Sequence, residues 1–270
     1  MMRWGLLCLS CLGLAMLTAT AAEVPEKNER QAAQDKIDGF DTTPMQPDGK
    51  WHIHDPNRPQ PPVAEPQYDG KPVPPPKDAI VIFDGKETDE LVNKEWPIKD
   101  GVMTVGKGNQ KTKREFGDMH LHVEFLIPLS CLKGWGQNQG NSGIFLMDTY
   151  EIQVLNCWGN RTYPDGMSGA LYGQVPPLVN ACKKPGEWQS YDIHFKAPVF
   201  KEGKVVSPAT VTVYLNNVLV QDKAEFRGAS TWKNVPKYSP HPEKKPFSLQ
   251  AHGNPVQFRN IWVAPLKELK

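Results

Sequence analysis

Thr210-Val211-Thr212-Val213-Tyr214-Leu215, then Asn216-Asn217 and the return Val218-Leu219-Val220-Gln221, is the stretch that decides the fold class. Val211, Val213 and Leu215 fall on one face of an extended chain and Thr210, Thr212 and Tyr214 on the other, the period of a strand buried on one side. Asparagine tolerates positive φ, so Asn216-Asn217 turns the chain and Val218 to Gln221 pairs back as a hairpin. Working outward, short β-rich runs recur between turns: Ala79 to Phe83, Val102 to Val105, Met119 to Ile127, Gly143 to Met147, Tyr150 to Leu155, Tyr191 to Phe195, Phe247 to Gln250 and Val256 to Val263. No segment keeps a helical period over three turns. A stretch of this length buries its apolar faces best between two stacked sheets. Residues 78–268 are therefore predicted to form an all-β, two-sheet antiparallel jelly-roll sandwich.

The amino end reads differently. Arg3, the apolar run Trp4 to Leu17 and the small residues Ala19-Thr20-Ala21-Ala22 follow the order of a secretory signal peptide, residues 1–22, with cleavage near Ala21 to Ala22. Export to the periplasm or the cell exterior is the expectation. The apolar run is shorter than a membrane span needs and no later segment is longer, so no transmembrane segment is expected. Lipidation at Cys11 is the rival, but Cys8, Leu9 and Ser10 make a poor signal for it. Loss of Arg3 reduces the 31 basic residues to 30, against 30 acidic ones, and a net charge of zero offers no electrostatic attraction to nucleic acid.

Residues 23–77 are crowded with proline and charge and are expected to be an extended or disordered arm that acts as a spacer. Trp51-His52-Ile53-His54-Asp55 interrupts it, as a metal-ligand pair or as a strand that docks on the domain. Cys131, Cys157 and Cys182 remain after the signal. Either Cys157 pairs with Cys182 or all three stay unpaired, and their spacing is not that of a zinc site.

In the strand Tyr150 to Leu155, Glu151 and Gln153 share the face opposite Ile152 and Val154. That face meets either a ligand or bulk water. Its neighbours are Trp135-Gly136-Gln137-Asn138-Gln139-Gly140-Asn141-Ser142-Gly143 on one side and Asn156-Cys157-Trp158-Gly159-Asn160 with Tyr163 on the other. Amides that bond hydroxyl pairs, beside flat aromatic faces, are what sugar recognition requires. His120, His122 and Glu124 share a second polar face, which could hold a divalent metal, supply a base with its orienter, or be an exposed edge. His252-Gly253-Asn254, with Arg259, is a third candidate, for proton transfer or for capping a turn. Trp188 and Trp262 read as core.

Gly140-Asn141-Ser142-Gly143-Ile144-Phe145-Leu146, Tyr150 to Leu155, Gly169-Ala170-Leu171-Tyr172-Gly173-Gln174, Lys184-Pro185-Gly186-Glu187-Trp188-Gln189 and His252 to Trp262 resemble the 3-keto-disaccharide hydrolase domain family. That family is related in fold to concanavalin A-like lectins and glucanases. The glucanases carry a strand Glu-x-Asp-x-x-Glu, whereas Glu151 to Asn156 here keeps only the first carboxylate, too few for a retaining pair. Family members often have Asp where this chain has Asn156, which puts a catalytic role there in doubt.

The resemblance implies a carbohydrate-active enzyme that takes an oligosaccharide or keto-sugar and cleaves the glycosidic bond of a 3-keto-glycoside. The route would be C2 proton abstraction, β-elimination and hydration. In that scheme Glu151 or His122 is the base and His252 the acid, while Arg259, or a divalent metal on His122 and Glu124, steadies the enolate. Asn141, Gln153, Trp158 and Tyr172 orient the sugar. A non-catalytic carbohydrate-binding module is the alternative, since fold does not decide function, and an adhesive role with the arm as tether is a third.

Overall fold

The structure is a computed structural model that describes Met1 and residues 38–86 and 89–267, so the expected signal segment and the first part of the arm lie outside the described residues. Among the described residues fourteen strands follow in chain order: β1 (Ile80–Phe83), β2 (Ile98–Lys99), β3 (Val102–Thr104), β4 (Gln110–Lys111), β5 (Met119–Leu126), β6 (Ser142–Leu146), β7 (Tyr150–Val154), β8 (Trp188–Lys196), β9 (Val199–Lys201), β10 (Lys204–Ser207), β11 (Thr210–Leu215), β12 (Val218–Glu225), β13 (Ser248–Leu249) and β14 (Gln257–Ala264). One antiparallel sheet runs β12-β11-β8-β5-β14-β3-β2, with β1 also paired to β14, and a second runs β4-β13-β6-β7. The fold is the all-β jelly-roll sandwich that the alternation of residues predicts. β2, β4 and the β9–β10 ribbon are too short or too exposed to leave a sequence pattern.

The deciding hairpin forms as read. Leu215 pairs with Val218 across Asn216 and Asn217, whose φ angles are 52° and 62°. Positive φ at both central residues is what a tight hairpin of this twist demands. Val211, Val213 and Leu215 are buried, and with Leu121, Val123 and Phe125 of β5 and Tyr191, Ile193 and Phe195 of β8 they pack against Ile144, Tyr150, Ile152 and Val154 of the second sheet. The Tyr191 hydroxyl donates to the Gln153 carbonyl at 2.7 Å, a polar tie between the sheets that satisfies an otherwise buried O–H.

The arm is extended, but it is not a free spacer. Ile53 and His54 are fully buried, Tyr68 is nearly so, and the Ala64 N–H donates to Asn180 O at 2.9 Å while Asn180 N–H donates to Pro62 O at 2.8 Å. Of the two readings of Trp51 to Asp55, docking on the domain is the one the structure adopts. Composition misleads here because it counts only the apolar surface a segment can bury within itself. This segment borrows its core from the domain, and its prolines lower the entropy lost on ordering.

Of the two cysteine readings, the structure has the unpaired one. Cys131, Cys157 and Cys182 are all free and buried, and Cys157 and Cys182 meet as hydrogen-bonded thiols and form no disulfide. No helix among the described residues is long and apolar enough to cross a membrane.

Candidate active-site cleft

Glu151 and Gln153 project from the side of β7 that points away from the core, as the period of the strand requires. Bulk water does not reach most of that face. Loops from the 137–141, 163–172 and 230–232 regions, with Asp38 and Phe40 of the arm, close over it and leave a cleft of about 480 Å3. Asn141, Glu151, Gln153, Tyr172 and His252, five residues singled out from the sequence, line it together.

Glu151 is only 4% exposed. Its carboxylate lies across Gly143 on the paired strand, where a Cβ would collide with Oε1 and push the carboxylate from this position. Burial pushes the Glu151 carboxyl up to about 8, with no cation among the described residues close enough to offset it. On the segment bonded to β7, where the Tyr172 N–H donates to Glu151 O at 3.1 Å, the Tyr172 hydroxyl stands 3.2 Å from that of Tyr163. Burial holds both well above the ordinary tyrosine range, so both remain neutral O–H groups.

The floor is an interlocked set of amides. Gln137 Oε1 accepts from Gln153 Nε2 at 3.1 Å and from Asn141 Nδ2 at 3.2 Å, while Gln137 Nε2 donates to Thr162 Oγ1 and to Gly166 O, each at 2.9 Å. Asn141 and Gln153 therefore spend donors on Gln137 and offer the cleft edges of fixed orientation. His252 is exposed at the rim, on a loop pinned by the Gly140 N–H, which donates to Asn254 Oδ1 at 3.0 Å. Trp232 is 61% exposed and meets Phe40 edge-on at 6.2 Å, with the Lys233 ammonium 4.2 Å from its ring centroid.

His122, Glu124 and Arg259 lie elsewhere. His122 and Glu124 on β5 and Arg259 on the paired β14 belong to the outer face of the other sheet, with the sandwich between them and Glu151, and the arm covers them. His122 Nδ1 is 3.0 Å from Asp192 Oδ1 and its Nε2 is 3.4 Å from Glu124 Oε1, while Trp262 stacks on the ring at 4.7 Å. Glu124 accepts from Arg259 Nε at 2.7 Å, Asn260 Nδ2 at 2.6 Å and the Val73 N–H at 2.8 Å. Both ring nitrogens of His122 and both carboxylate oxygens of Glu124 are thus engaged by protein partners. Among the described residues no group of three His, Cys, Asp or Glu is arranged to hold a metal ion. Arg259 also donates to Gly70 O at 2.6 Å and lies 3.9 Å over the Trp188 ring, which fixes it far from any cleft substrate. Trp262, expected in the core, is buried on this outer face instead.

This cluster ties the arm down electrostatically. Burial pushes His122 towards neutrality, but its hydrogen bonds to Asp192 and Glu124 and their charges outweigh that and hold its pKa above the ordinary 6.5. A raised folded pKa stabilises fully below the unfolded value and is lost as pH rises through the folded one. The melting-temperature advantage of the wild type over His122→Asn is therefore expected to be largest at pH 6 and to shrink towards pH 9, as read by thermal scans across that window.

Trp158 lies outside the cleft, with the Lys184 ammonium 5.3 Å from its ring. Asn156 closes the same turn, accepting the Trp158 N–H at 3.1 Å and donating to Gln139 Oε1 at 2.5 Å, and so has a loop-ordering task. Asp38, Phe40, Gln137, Phe145, Tyr163, Ser230, Thr231, Trp232 and Gln250 complete the lining. Phe145 could have been found, since it pairs with Glu151 across β6 and β7. Trp232, a tryptophan in a polar loop, was the other available signal.

A family profile described as the 3-keto-alpha-glucoside-1,2-lyase-like domain matches residues 78–264. Among solved structures, the chain is similar to a protein from Parabacteroides distasonis ATCC 8503 provisionally named a glycosyl hydrolase: 42% identity over 77% of this chain and 93% of that one, TM-score 0.71. A second protein of that organism, provisionally named in the same way, shares the fold at 24% identity, 70% and 99% coverage and TM-score 0.50. No curated protein matches. A sandwich whose outward strand face carries a buried carboxylate into an amide- and aromatic-lined cleft thus belongs, over residues 78–264, to the 3-keto-alpha-glucoside-1,2-lyase-like domain family.

Proposed function

We propose that this chain is an enzyme that cleaves the glycosidic bond of 3-keto-glycosides. The observation that carries the proposal is Glu151, a carboxylate whose basicity burial has raised, lining a sugar-sized cleft together with a pair of neutral tyrosine hydroxyls. A carbonyl at C3 acidifies the proton on C2. Glu151 in its ionised form takes that proton, the C–H electron pair becomes the C2–C3 double bond, and O3 takes the negative charge. Tyr172 and Tyr163 donate to that oxyanion, the role first given to Arg259. The enolate electrons then return, the C1–O bond breaks, and His252 protonates the departing oxygen at the open rim, where an alcohol can leave. Water adds to the unsaturated product afterwards. A base of raised pKa suits a weakly acidic C–H, because proton-transfer efficiency follows the base strength.

Trp232 and Phe40 form an aromatic rim that would stack on the leaving-group sugar. Trp232→Ala is expected to raise KM for a 3-keto-disaccharide roughly 3- to 10-fold with kcat little changed, as stacking of this kind contributes about 0.5–1.5 kcal/mol. Steady-state kinetics on the disaccharide check it.

The deciding experiment follows release of the alcohol from a 3-keto-glucoside, together with exchange of the C2 proton in deuterated water. Turnover and exchange are the expected result. Binding of the keto-sugar with neither would mean a carbohydrate-binding module. Asp38 also lines the cleft, so turnover of an unoxidised glycoside that Asp38→Asn abolishes would mean a carboxylate-pair hydrolase instead.

A further inference from the structure

His54 belongs to the arm, outside the family-matched residues, and the scheme above gives it no task. It is fully buried and its backbone is left-handed, φ 62°, a conformation that a non-glycine side chain adopts only when its surroundings impose it. Asp165 imposes it: one carboxylate oxygen accepts the His54 N–H at 3.0 Å and the other lies 3.2 Å from Nδ1. Gln46, also of the arm, donates to Asp165 Oδ2 at 3.3 Å and to Gly173 O at 2.7 Å. The arm thus clamps the segment on which Tyr163 and Tyr172 are carried. The imidazole lies 4.1 Å from the Tyr163 ring and 5.0 Å from the Tyr172 ring, centroid to centroid. Its Nε2 is buried and has no hydrogen-bond partner among the described residues. Buried polar atoms are almost always partnered, yet His54 leaves Nε2 open while Nδ1 alone answers Asp165. A histidine kept there at that cost points to a task beyond packing.

We propose that His54 and Asp165 form a positioning pair that holds the Tyr163–Tyr172 hydroxyls as an oxyanion-binding site, which makes the arm a structural part of the active site. The proposal rests on the enolate reading of the cleft. It identifies the class of ligand as a planar conjugated oxyanion, enolate or phenolate. Asp165 engages Nδ1, which leaves Nε2 as the open ring atom of an imidazole held beside the two tyrosine rings. Gly173 permits the close approach: its φ is 70°, and a Cβ there would already touch His54 Cε1 at 3.4 Å.

The test uses the full chain and two probes. 4-Nitrophenolate, followed by its absorbance shift on binding, reads the tyrosine pair without any sugar chemistry. Tyr172→Phe is expected to weaken its binding about tenfold or more, and His54→Asn about fivefold, because loss or misplacement of an oxyanion donor costs on that scale. Asparagine tolerates the left-handed backbone and can still donate to Asp165, so the melting temperature should fall little. Asp165→Asn, of unchanged size, is the second variant should the first not fold. On a 3-keto-glucoside, His54→Asn is expected to lower kcat about tenfold to a hundredfold with KM nearly unchanged, and to add nothing when combined with Tyr172→Phe. Absence of 4-nitrophenolate binding by the wild type, unaltered binding in both His54→Asn and Asp165→Asn, or additivity with Tyr172→Phe overturns the proposal. If the phenolate pattern holds but no 3-keto-glycoside is turned over, the enolate chemistry fails and the positioning pair stands.

Discussion

Glu151→Gln is expected to lower kcat on a 3-keto-glucoside by about 10²- to 10⁴-fold, the usual contribution of a positioned general base. Glutamine has the same shape, so it keeps the packing against Gly143, and KM should hardly move. The pH profile separates loss of a base from loss of a binding group. The working form is the carboxylate, and burial places its pKa at about 8. In the wild type kcat/KM should climb about tenfold per unit below that value and level off above it, while any residual rate of the variant should lack this limb. Stability should move the other way. The folded pKa is raised above the ordinary 4.5, so the stabilising neutral form is complete below pH 4.5 and is lost as pH rises through about 8. Glu151→Gln is therefore expected to melt higher than the wild type at pH 8 and above. A variant both inactive and more stable is what a site strained for function predicts; unchanged kcat would remove Glu151 from the chemistry.

Removal of the arm, with the chain restarted at Asp78, is the second large effect. It exposes surface that Ile53 and Tyr68 cover, each side chain stabilising by about 1.5–3 kcal/mol when fully buried. It also strips Glu124 and Arg259 of the Val73 and Gly70 partners that complete their pairing. Disturbing a buried ion pair in this way costs several kcal/mol, so a fall in melting temperature of roughly 10 °C or more is expected. Activity should vanish with it even at temperatures where the truncated domain stays folded, because Asp38, Phe40 and the His54 clamp leave the cleft. Circular dichroism melts alongside turnover at low temperature separate the two losses. Full activity in the truncated chain would return the arm to the status of a tether.

The sequence by itself determined the strands and their faces, because side-chain alternation is a local rule that β5, β7 and β11 obey residue by residue. It also singled out a carboxylate that lines the cleft: Glu151 lies against Gly143, eight residues earlier, and Asn141, Gln153 and Tyr172 sit within two short segments of it. Only the tertiary structure decided which face looks where. Alternation places His122 and Glu124 on one side of a strand but not on one side of the sandwich, and that is why the histidine-carboxylate face is an arm-docking cluster and not part of the cleft. Only the tertiary structure, too, brought in Phe40, His54 and Trp232, whose partners are more than a hundred residues away in the chain, as with Asp165 and His54, or in another loop. Burial is shared between segments, so the sequence of one cannot reveal what the other supplies.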